Sequence, residues 1–285
     1  MKLNTYADAD SFLEDVQLEL EKHEAEHSLI LGLALAARSN SPSANSIPFF
    51  VTVRDTRRLL VAAYMTYPNP LVLSALRPDG EEVLELIIEH LLSSRIELSS
   101  LVAPKAISEM FAERWSRSSG QTAEINMRQR LYKLTGVRDV PRCGGDLRRA
   151  SDADLDVVSR WVAAFDAEAL HEETSEKAWN IAKQRIKRGE IYLWEDIEPR
   201  SMAAKARPTS HGIAINSVYT PPEWRRQGYA TACVARLSEH LLESGYSFCV
   251  LFTDLANPTS NSIYTRIGYE PVCDFVKYSL TKGEG

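Results

Sequence analysis

Long apolar stretches, paired cysteines and an excess of basic residues are all missing from this sequence of 285 residues. The longest apolar run, Leu29 to Ala37, is far shorter than the ~20 residues that cross a bilayer. The acidic start lacks the basic-then-apolar layout of a signal peptide. We therefore expect a cytoplasmic protein with no membrane partner.

The cysteines and the charge exclude further classes. The four cysteines form no close pair: Cys143, Cys233, Cys249 and Cys273. Such scattered thiols favour a reducing compartment over a disulfide framework. A net charge of −6 and a pI near 5.6 argue against nucleic acid as a main partner.

The length and the pattern of apolar residues predict two α+β domains with mixed sheets. The spacing predicts a helix over 6–38, strands over 47–53 and 58–67, and a helix over 81–93. The segment 138–145, RDVPRCGG, is typical of a linker. We therefore expect an N-terminal domain over 1–137 and a second domain over 146–285. The sequence leaves a homodimer open.

The chemistry is concentrated in the second domain. A strand ending at Val218-Tyr219-Thr220 is followed by a loop and by the start of a helix, over Arg225-Arg226-Gln227-Gly228-Tyr229-Ala230. The first turn of a helix has backbone N–H groups without internal acceptors, and its positive end favours anions. Gly228 lets a ligand approach the backbone closely, so this turn predicts a diphosphate site.

A second motif follows the next strand. Asn257 lies where that strand meets a helix, in a place where an amide could hold an extended ligand. Tyr264 lies about two turns further along and could direct a phenol at the reactive end of that ligand. The alternative for Tyr264 is a tyrosine of the core.

These two motifs resemble those of the GNAT superfamily of acyl-CoA-dependent N-acetyltransferases. One is Q/R-x-x-G-x-G/A, at Arg225, Gly228 and Ala230. The other is N-x-x-S/A-x-x-x-Y-x-x-x-G-F/Y, and its matching positions are Asn257, Ser260, Tyr264, Gly268 and Tyr269. The resemblance covers about 146–285 and implies a GNAT-like fold in that domain.

The resemblance also implies a donor and a mechanism. The donor is acetyl-CoA, with its diphosphate on the N–H groups of Arg226 to Thr231, a segment that includes Gln227 and Tyr229. Its pantetheine pairs with the backbone of Val218 to Thr220 and contacts Asn257. Tyr264 protonates the departing thiolate, and an amine attacks the thioester directly in a ternary complex without a metal. The alternatives are another acyl-CoA, or a module that binds CoA without catalysis.

The general base and the acceptor are not assigned. A neutral amine needs a group that removes its proton, directly or through water. The strand 212–220 carries no carboxylate. The remaining candidates are Glu168, His171, Glu172, Glu173, Glu195, Asp196 and His211, each of which could equally be a solvated surface group.

A shift of the motif by 148 residues aligns the first half with the second. Arg225, Gly228 and Gly268 correspond to Arg77, Gly80 and Gly120. The functional positions do not survive, because Ala230, Asn257 and Tyr264 become Glu82, Glu109 and Ser116. Glu81 and Glu82 would repel a diphosphate. We therefore expect two tandem GNAT-like domains, the first degenerate, with an unrelated α+β domain as the alternative.

Three further signals are set aside. His23-Glu24-Ala25-Glu26-His27 matches the H-E-x-x-H zinc pattern but has no nearby third ligand, so we expect no metal. Cys143 is a lone cysteine of the linker and no nucleophile. The tryptophans could line an acceptor pocket or simply pack in the core: Trp161, Trp179, Trp194 and Trp224.

Overall fold

A computed structural model describes residues 1–39, 48–56, 58–76, 81–141, 143–170 and 175–282. Its helices and longer strands, in chain order, are β1 (Lys2–Tyr6), α1 (Ala9–Leu20), α2 (Ser28–Ser39), β2 (Pro48–Asp55), β3 (Arg58–Thr66), β4 (Leu71–Ala75), α3 (Glu81–Ser93), β5 (Ser100–Pro104), α4 (Lys105–Ser119), β6 (Gln121–Leu134), β7 (Asp146–Arg149), α5 (Leu155–Phe165), α6 (Ser175–Lys187), β8 (Ile191–Asp196), β9 (Glu198–Ala206), β10 (Gly212–Tyr219), α7 (Tyr229–Glu243), β11 (Phe248–Asp254), α8 (Pro258–Ile267) and β12 (Glu270–Lys282). The predicted α+β class is confirmed.

The two halves repeat one order of elements. Each has a strand, two helices, three strands, a helix, a strand, a helix and a final strand. The predicted offset recurs in this order, because α7 begins 148 residues after α3. Gly120 and Gly268, which are the same distance apart, end α4 and α8 in left-handed conformations, with φ of 73° and 114°. Gly80 and Arg77 lie outside the described residues.

Contacts divide the chain into two compact units. The first comprises Met1–Leu131 together with the segment from Val272 onward, and the second comprises Tyr132–Pro271. This division differs from the sequence-based one, which placed the boundary at 138–145 and the whole of 146–285 in the second domain. The last strand of the chain thus belongs to the first unit.

The first unit is a mixed sheet in the order β1-β2-β3-β4-β5-β12-β6. Strands β4 and β5 are parallel, through Leu71↔Leu101 and Val72↔Val102. Helices α3 and α4 pack on this sheet through apolar residues at helical spacing, as predicted for 81–93. The buried positions of α3 are Val83, Leu84, Ile87, Ile88 and Leu91, and those of α4 include Ile107, Phe111 and Trp115.

Strand β12 completes the first unit. It pairs antiparallel with β5, from Phe275↔Pro104 to Ser279↔Ser100. Its buried side chains Val276, Tyr278 and Leu280 belong to the core of that unit. Without β12 the edge of β5 would present unpaired backbone groups. The alternation of apolar residues in β12 identifies a strand, but it carries no information on which strand is its neighbour.

The predicted helix over 6–38 is wrong in part. Lys2–Tyr6 form β1, which pairs with β2 from Lys2↔Arg54 to Tyr6↔Phe50. Asp8 caps α1, because its side chain accepts the Ser11 N–H at 2.8 Å. A 3₁₀ turn over Glu21–His23 then separates α1 from α2. Both helices bury one face in the same unit, so apolar residues at helical spacing occur in α1 and in α2. The sequence pattern therefore did not show where α1 ends.

The second unit is a sheet in the order β11-β10-β9-β8-β7, with helices on both faces. Helices α5 and α6 pack over Ile191, Leu193 and Ala204, and α7 packs over the opposite face, where Ala203 and Ile213 lie. The capping box predicted at Ser151 is present, because the Asp154 carboxylate accepts the Ser151 N–H at 2.8 Å.

The side chain of His27 lies in the core of the first unit. It is 3% exposed, and its Nδ1 lies 2.6 Å from the Ser74 Oγ in a hydrogen bond. Burial, with a smaller contribution from the charge of His23, lowers the pKa of His27 to about 4. The neutral imidazole is therefore part of the folded state.

Replacing Leu280 by Ala tests the place of β12. Leu280 is 4% exposed in the first unit, so the cavity should cost about 2–4 kcal/mol of unfolding free energy. Hydrogen exchange should quicken in β4 and β5 and stay unchanged in α7. Val272→Ala on the same strand is the control, because Val272 is 37% exposed. Faster exchange in α7 alone would instead place β12 with the second unit.

The burial of His27 predicts a loss of stability on acidification. Its pKa falls from 6.5 in the unfolded chain to about 4 in the folded one. Its contribution is therefore complete above pH 6.5 and is lost as the pH falls towards 4, by at most about 3 kcal/mol. Urea unfolding at pH 7 and pH 5 should show a smaller difference in His27→Gln than in the control, His23→Gln. An equal difference in the two variants would contradict the prediction.

Candidate active site

A β-bulge interrupts β10 near its end. The register with β9 passes from Asn216↔Ala204 to Tyr219↔Met202, so that Ser217 and Val218 lie opposite a single residue. Ser217 has a φ of 49°, which is unusual for a residue with a side chain. A bulge leaves backbone groups outside the ladder and redirects them. These groups are free to bind something other than β9.

An opening begins beside the bulge. The parallel pairing of β10 with β11 runs from Gly212↔Phe248 to Ala214↔Val250. Beyond that point β10 continues to Tyr219 and β11 continues to Asp254. The facing backbone edges of these strand ends are therefore available to a ligand that lies between them as an extra strand would.

The loop after β10 ends at a helix terminus that faces outward. A 3₁₀ turn over Pro222–Trp224 precedes Arg226, with φ of 63°, and Gly228, with φ of 91°. Gly228 is the N-cap of α7, and no side chain of the described residues caps that helix. Its first turn contains no acidic residue. Unpaired N–H groups and the positive end of a helix are features that favour an anion.

Arg225 is held away from that terminus. Its Nε donates to the Thr220 carbonyl at 2.9 Å, and its Nη2 donates to Glu168 at 2.6 Å. Tyr219 donates to the other Glu168 oxygen at 3.2 Å. Arg226 is exposed, and the Gln227 amide donates to the Glu223 carbonyl at 3.2 Å. The structure therefore directs Arg225 at a carboxylate and leaves the backbone N–H groups as the donors that an anion could meet at this turn.

The remaining predicted binding residues lie in or near the first turn of α7. Ala230 is half-buried and Thr231 is buried. Tyr229 donates its hydroxyl to Asp196 at 2.7 Å, which fixes the helix start against β8. The linker residue Cys143 lies beside the turn, with its Cβ 3.8 Å from where a side chain of residue 228 would begin. Burial raises the pKa of the Cys143 thiol, which disfavours a nucleophilic thiolate.

Tyr264 lies on α8 in the core and has a free hydroxyl. It is 7% exposed, and its ring meets that of Tyr269 edge-on at 6.0 Å. Burial raises the pKa of Tyr264 above its usual range, so the phenol keeps its proton at neutral pH. Within the described part of the chain its hydroxyl makes no hydrogen bond. Its hydroxyl is thus a potential hydrogen-bond donor that these residues leave unused.

Asn257 has a structural role that the sequence did not indicate. It is the N-cap of α8, and its Oδ1 accepts the Ser260 N–H at 3.0 Å. Its amide nitrogen is left to donate. Asn261 reinforces the turn by donating to the carbonyls of Asp254 and Asn257, at 2.9 and 2.7 Å, and it accepts from Tyr132 at 3.0 Å.

The candidate general bases differ in how close they lie to the bulge and to the start of α7. Glu168 contacts Tyr219 and Arg225 and so lies at the site. Glu195 pairs with Arg148. His211 precedes β10, about 20 Å along the strand from the bulge at ~3.3 Å per residue. His171, Glu172 and Glu173 lie outside the described residues.

The tryptophans pack rather than cluster. Trp224 lies under Arg200, with the guanidinium carbon 3.5 Å from its ring centroid, and Trp161 packs against Tyr219. Trp194 donates to the Gly144 carbonyl at 2.8 Å. Trp179 is 44% exposed. These positions do not form one pocket in the described residues.

The described residues contain neither a cluster of metal ligands nor a membrane-spanning helix. In the described ranges, no group of three or more His, Cys, Asp or Glu residues could hold a metal ion. Of the helices that the structure describes, none is long and apolar enough to span a membrane.

The corresponding positions of the first unit lack these features. Glu82 is exposed in the first turn of α3, where α7 carries Ala230. Helix α4 follows β5 directly, with Pro104 as its N-cap, whereas an Asn257 turn separates β11 from α8. Ser116 takes the position of Tyr264. The first unit thus keeps the order of elements with different residues at these positions.

Comparisons with known proteins agree with this architecture. Residues 194–277 match the family model described as FR47-like protein. No curated protein matches the sequence. Three solved structures resemble nearly the whole chain at low identity. They are a GNAT-family acetyltransferase from Colwellia psychrerythraea (TM-score 0.59, 14% identity, 99% of this chain and 100% of that one), a Drosophila protein (0.68, 12%, 99% and 99%), and a tandem GNAT protein from the clavulanic acid biosynthesis pathway (0.60, 14%, 100% and 99%).

Proposed function

We propose that this chain is an acetyl-CoA-dependent N-acetyltransferase. By its fold and its matched segment, the chain belongs to the GNAT superfamily. The predicted tandem GNAT fold is confirmed. Catalysis resides in the second unit. The observation that carries the proposal is the alignment of the uncapped α7 terminus, the β10 bulge and the opening between β10 and β11 in that unit.

The donor is held mainly by backbone. The N–H groups from Arg226 to Thr231 receive the diphosphate, since they lack acceptors and the first turn has no carboxylate. The pantetheine lies along Val218 to Thr220, where β10 has left its pairing with β11. The amide nitrogen of Asn257 donates to it from the other side of the opening.

The reaction is a direct transfer. A neutral amine attacks the thioester carbonyl, and a backbone N–H freed by the bulge at Ser217 stabilises the oxyanion. The C–S bond then breaks, and Tyr264 donates its proton to the thiolate. Burial raises the pKa of Tyr264, so its phenol is protonated over the working pH range. Glu168 is the candidate base that contacts residues of this site.

The first unit serves as scaffold or in acceptor recognition. Its α3 begins with Glu81 and Glu82, where α7 presents uncharged residues, and a diphosphate would be repelled there. Acetyl-CoA should therefore bind with a stoichiometry of one per chain.

One assay distinguishes the proposal from its two alternatives, which are transfer from another acyl-CoA and CoA binding without catalysis. Thiol release should be measured with acetyl-CoA, propionyl-CoA and succinyl-CoA against a panel of amines. Transfer with acetyl-CoA supports the proposal, and a preference for another donor identifies a different acyltransferase. Donor binding without release in the presence of any amine would identify a CoA sensor instead.

Tyr264→Phe tests the proton donor. Loss of general acid catalysis should lower kcat about 100-fold or more, with the Kd for acetyl-CoA unchanged. Tyr269→Phe is the matched control, because the Tyr269 hydroxyl contacts Ser238 and not the opening. That variant should lose stability and keep its kcat. Equal kcat values for Tyr264→Phe and the wild type would remove Tyr264 from the mechanism.

Gly228→Ala tests the diphosphate site. A side chain at φ 91° is strained by about 1–2 kcal/mol and would stand where the diphosphate approaches. Gly245→Ala is the control, since Gly245 has a φ of 106° just beyond the other end of α7, with no atom within 4 Å of an added Cβ. Both variants should unfold more readily. Calorimetry should show weaker acetyl-CoA binding, by about tenfold or more, only for Gly228→Ala.

A further inference from the structure

One guanidinium binds two consecutive residues of β10. Arg185, on α6, donates from Nη2 to the Asn216 Oδ1 at 2.8 Å and from Nη1 to the Ser217 Oγ at 2.9 Å. Successive side chains of a regular strand point to opposite faces of the sheet, so a group on one face does not reach both. The shared contact therefore exists because the strand is irregular at these two residues.

The alternation of β10 breaks at this pair and resumes after it. Ile215 and Val218 pack in the apolar cluster beneath α7, whereas Tyr219 packs in the cluster beneath α5 and α6. Asn216 and Ser217, which lie between them, both turn towards α6. The bulge thus adds one residue to β10 on the face where Arg185 lies.

The backbone of the bulge is strained at a residue that is not glycine. Ser217 has a φ of 49°, in the left-handed region that residues with a side chain rarely adopt. Such a conformation persists where the surrounding structure holds it. Hydrogen bonds from a charged donor are stronger than those between neutral groups. Two such bonds, to adjacent residues, hold the strained conformation from the side of α6.

Arg185 is itself held in place. Its side chain is 16% exposed, and its Nε donates to Glu190 at 3.1 Å. Glu190 and Asp166 supply negative charge near the guanidinium. Because the guanidinium is planar and its donors form a rigid fork, the groups that accept from it are fixed relative to one another. The bulge therefore has a rigid support on α6.

The corresponding strand of the first unit has neither the bulge nor the arginine. Strand β4 pairs with β3 without a shift of register, from Val61↔Ala75 to Tyr64↔Val72. The residue 148 positions before Arg185 is Ala37, on α2, whose side chain has no donor. In the described part of the two units, the bulge and the guanidinium are therefore present together or missing together.

We propose that Arg185 is a positioning residue for the acyl transfer: it holds the bulge at Asn216 and Ser217 in the conformation that directs a backbone N–H at the oxyanion of the thioester. The inference rests on the proposed function, in which the N–H freed by the bulge stabilises that oxyanion. A donor of this kind is effective when it already points to where the charge develops. Arg185 exchanges no proton with the reactants and acts through the backbone of β10.

The experiment separates binding of the tetrahedral state from binding of the donor. Calorimetry compares two ketones in which CH₂ replaces the sulfur of acetyl-CoA, one ending in CH₃ and one in CF₃. The CF₃ ketone adds water and so mimics the tetrahedral intermediate, and the wild type should bind it more tightly. Arg185→Gln should reduce this preference about tenfold or more and lower kcat about 10- to 100-fold, with the Kd for acetyl-CoA unchanged. A merely structural role would change both ketone affinities alike.

Further variants test the individual contacts. Arg185→Lys keeps the charge without the fork, so its loss should lie between those of the wild type and Arg185→Gln. Asn216→Ala and Ser217→Ala each remove one acceptor and leave the bond of Arg185 to Glu190, so they carry the test if Arg185→Gln does not fold. Each should lose part of the ketone preference alone and little more when added to Arg185→Gln. Arg188→Gln, at an exposed arginine just after α6, is the matched control and should behave as the wild type.

The outcomes distinguish failure of the inference from failure of the proposed function. Transfer by the wild type with an unchanged ketone preference in Arg185→Gln overturns the inference alone. No transfer to any amine contradicts the enzymatic function, and the ketones then decide on Arg185 by themselves. A preference for the CF₃ ketone that Arg185→Gln removes supports the positioning role, and no preference in the wild type refutes it.

Discussion

The requirement that backbone hydrogen-bonding groups find partners is the constraint on which the site depends. Strands β10 and β11 satisfy it together only as far as Ala214 and Val250. Beyond these residues, and at the bulge of Ser217 and Val218, the backbone N–H and C=O groups of the two strands need another extended partner to bond with. In the proposed function, an extended pantetheine with its two amides meets that need. The helix α7, whose first N–H groups are likewise unpaired, extends the same requirement to a diphosphate.

The duplicated architecture presents a similar arrangement of strands twice, with different residues around it. In the first unit β4 and β5 are also parallel, and α3 begins 148 residues before α7. Yet its helix starts with carboxylates, and α4 follows β5 without an Asn257-like turn. The fold therefore supplies unpaired backbone groups, and a few side chains decide whether an anion can use them.

Sequence reasoning identified the glycine turn, Tyr264 and the repeat, because each depends on local chemistry or on spacing. It placed Arg225 with the diphosphate, whereas the structure bonds it to Glu168. It did not find Arg185, which belongs to α6 and bonds to Asn216 and Ser217 of β10, since an arginine in a surface-like segment carries no signal of burial. The position of Arg185 depends on how α6 packs over β10. The division at 138–145 likewise missed that β12 lies beside β5.

The sequence by itself determined a two-domain α+β chain whose second half has the motifs of an acyl-CoA site. These conclusions rest on periodicity and on residues close together along the chain. Only the tertiary structure decided which strand completes each unit and which acceptors the arginines Arg185 and Arg225 bind. Such facts depend on contacts between distant segments, such as Arg185 with Ser217, and local propensity does not encode them. The two halves look alike as patterns, and they differ in what the packing leaves unsatisfied.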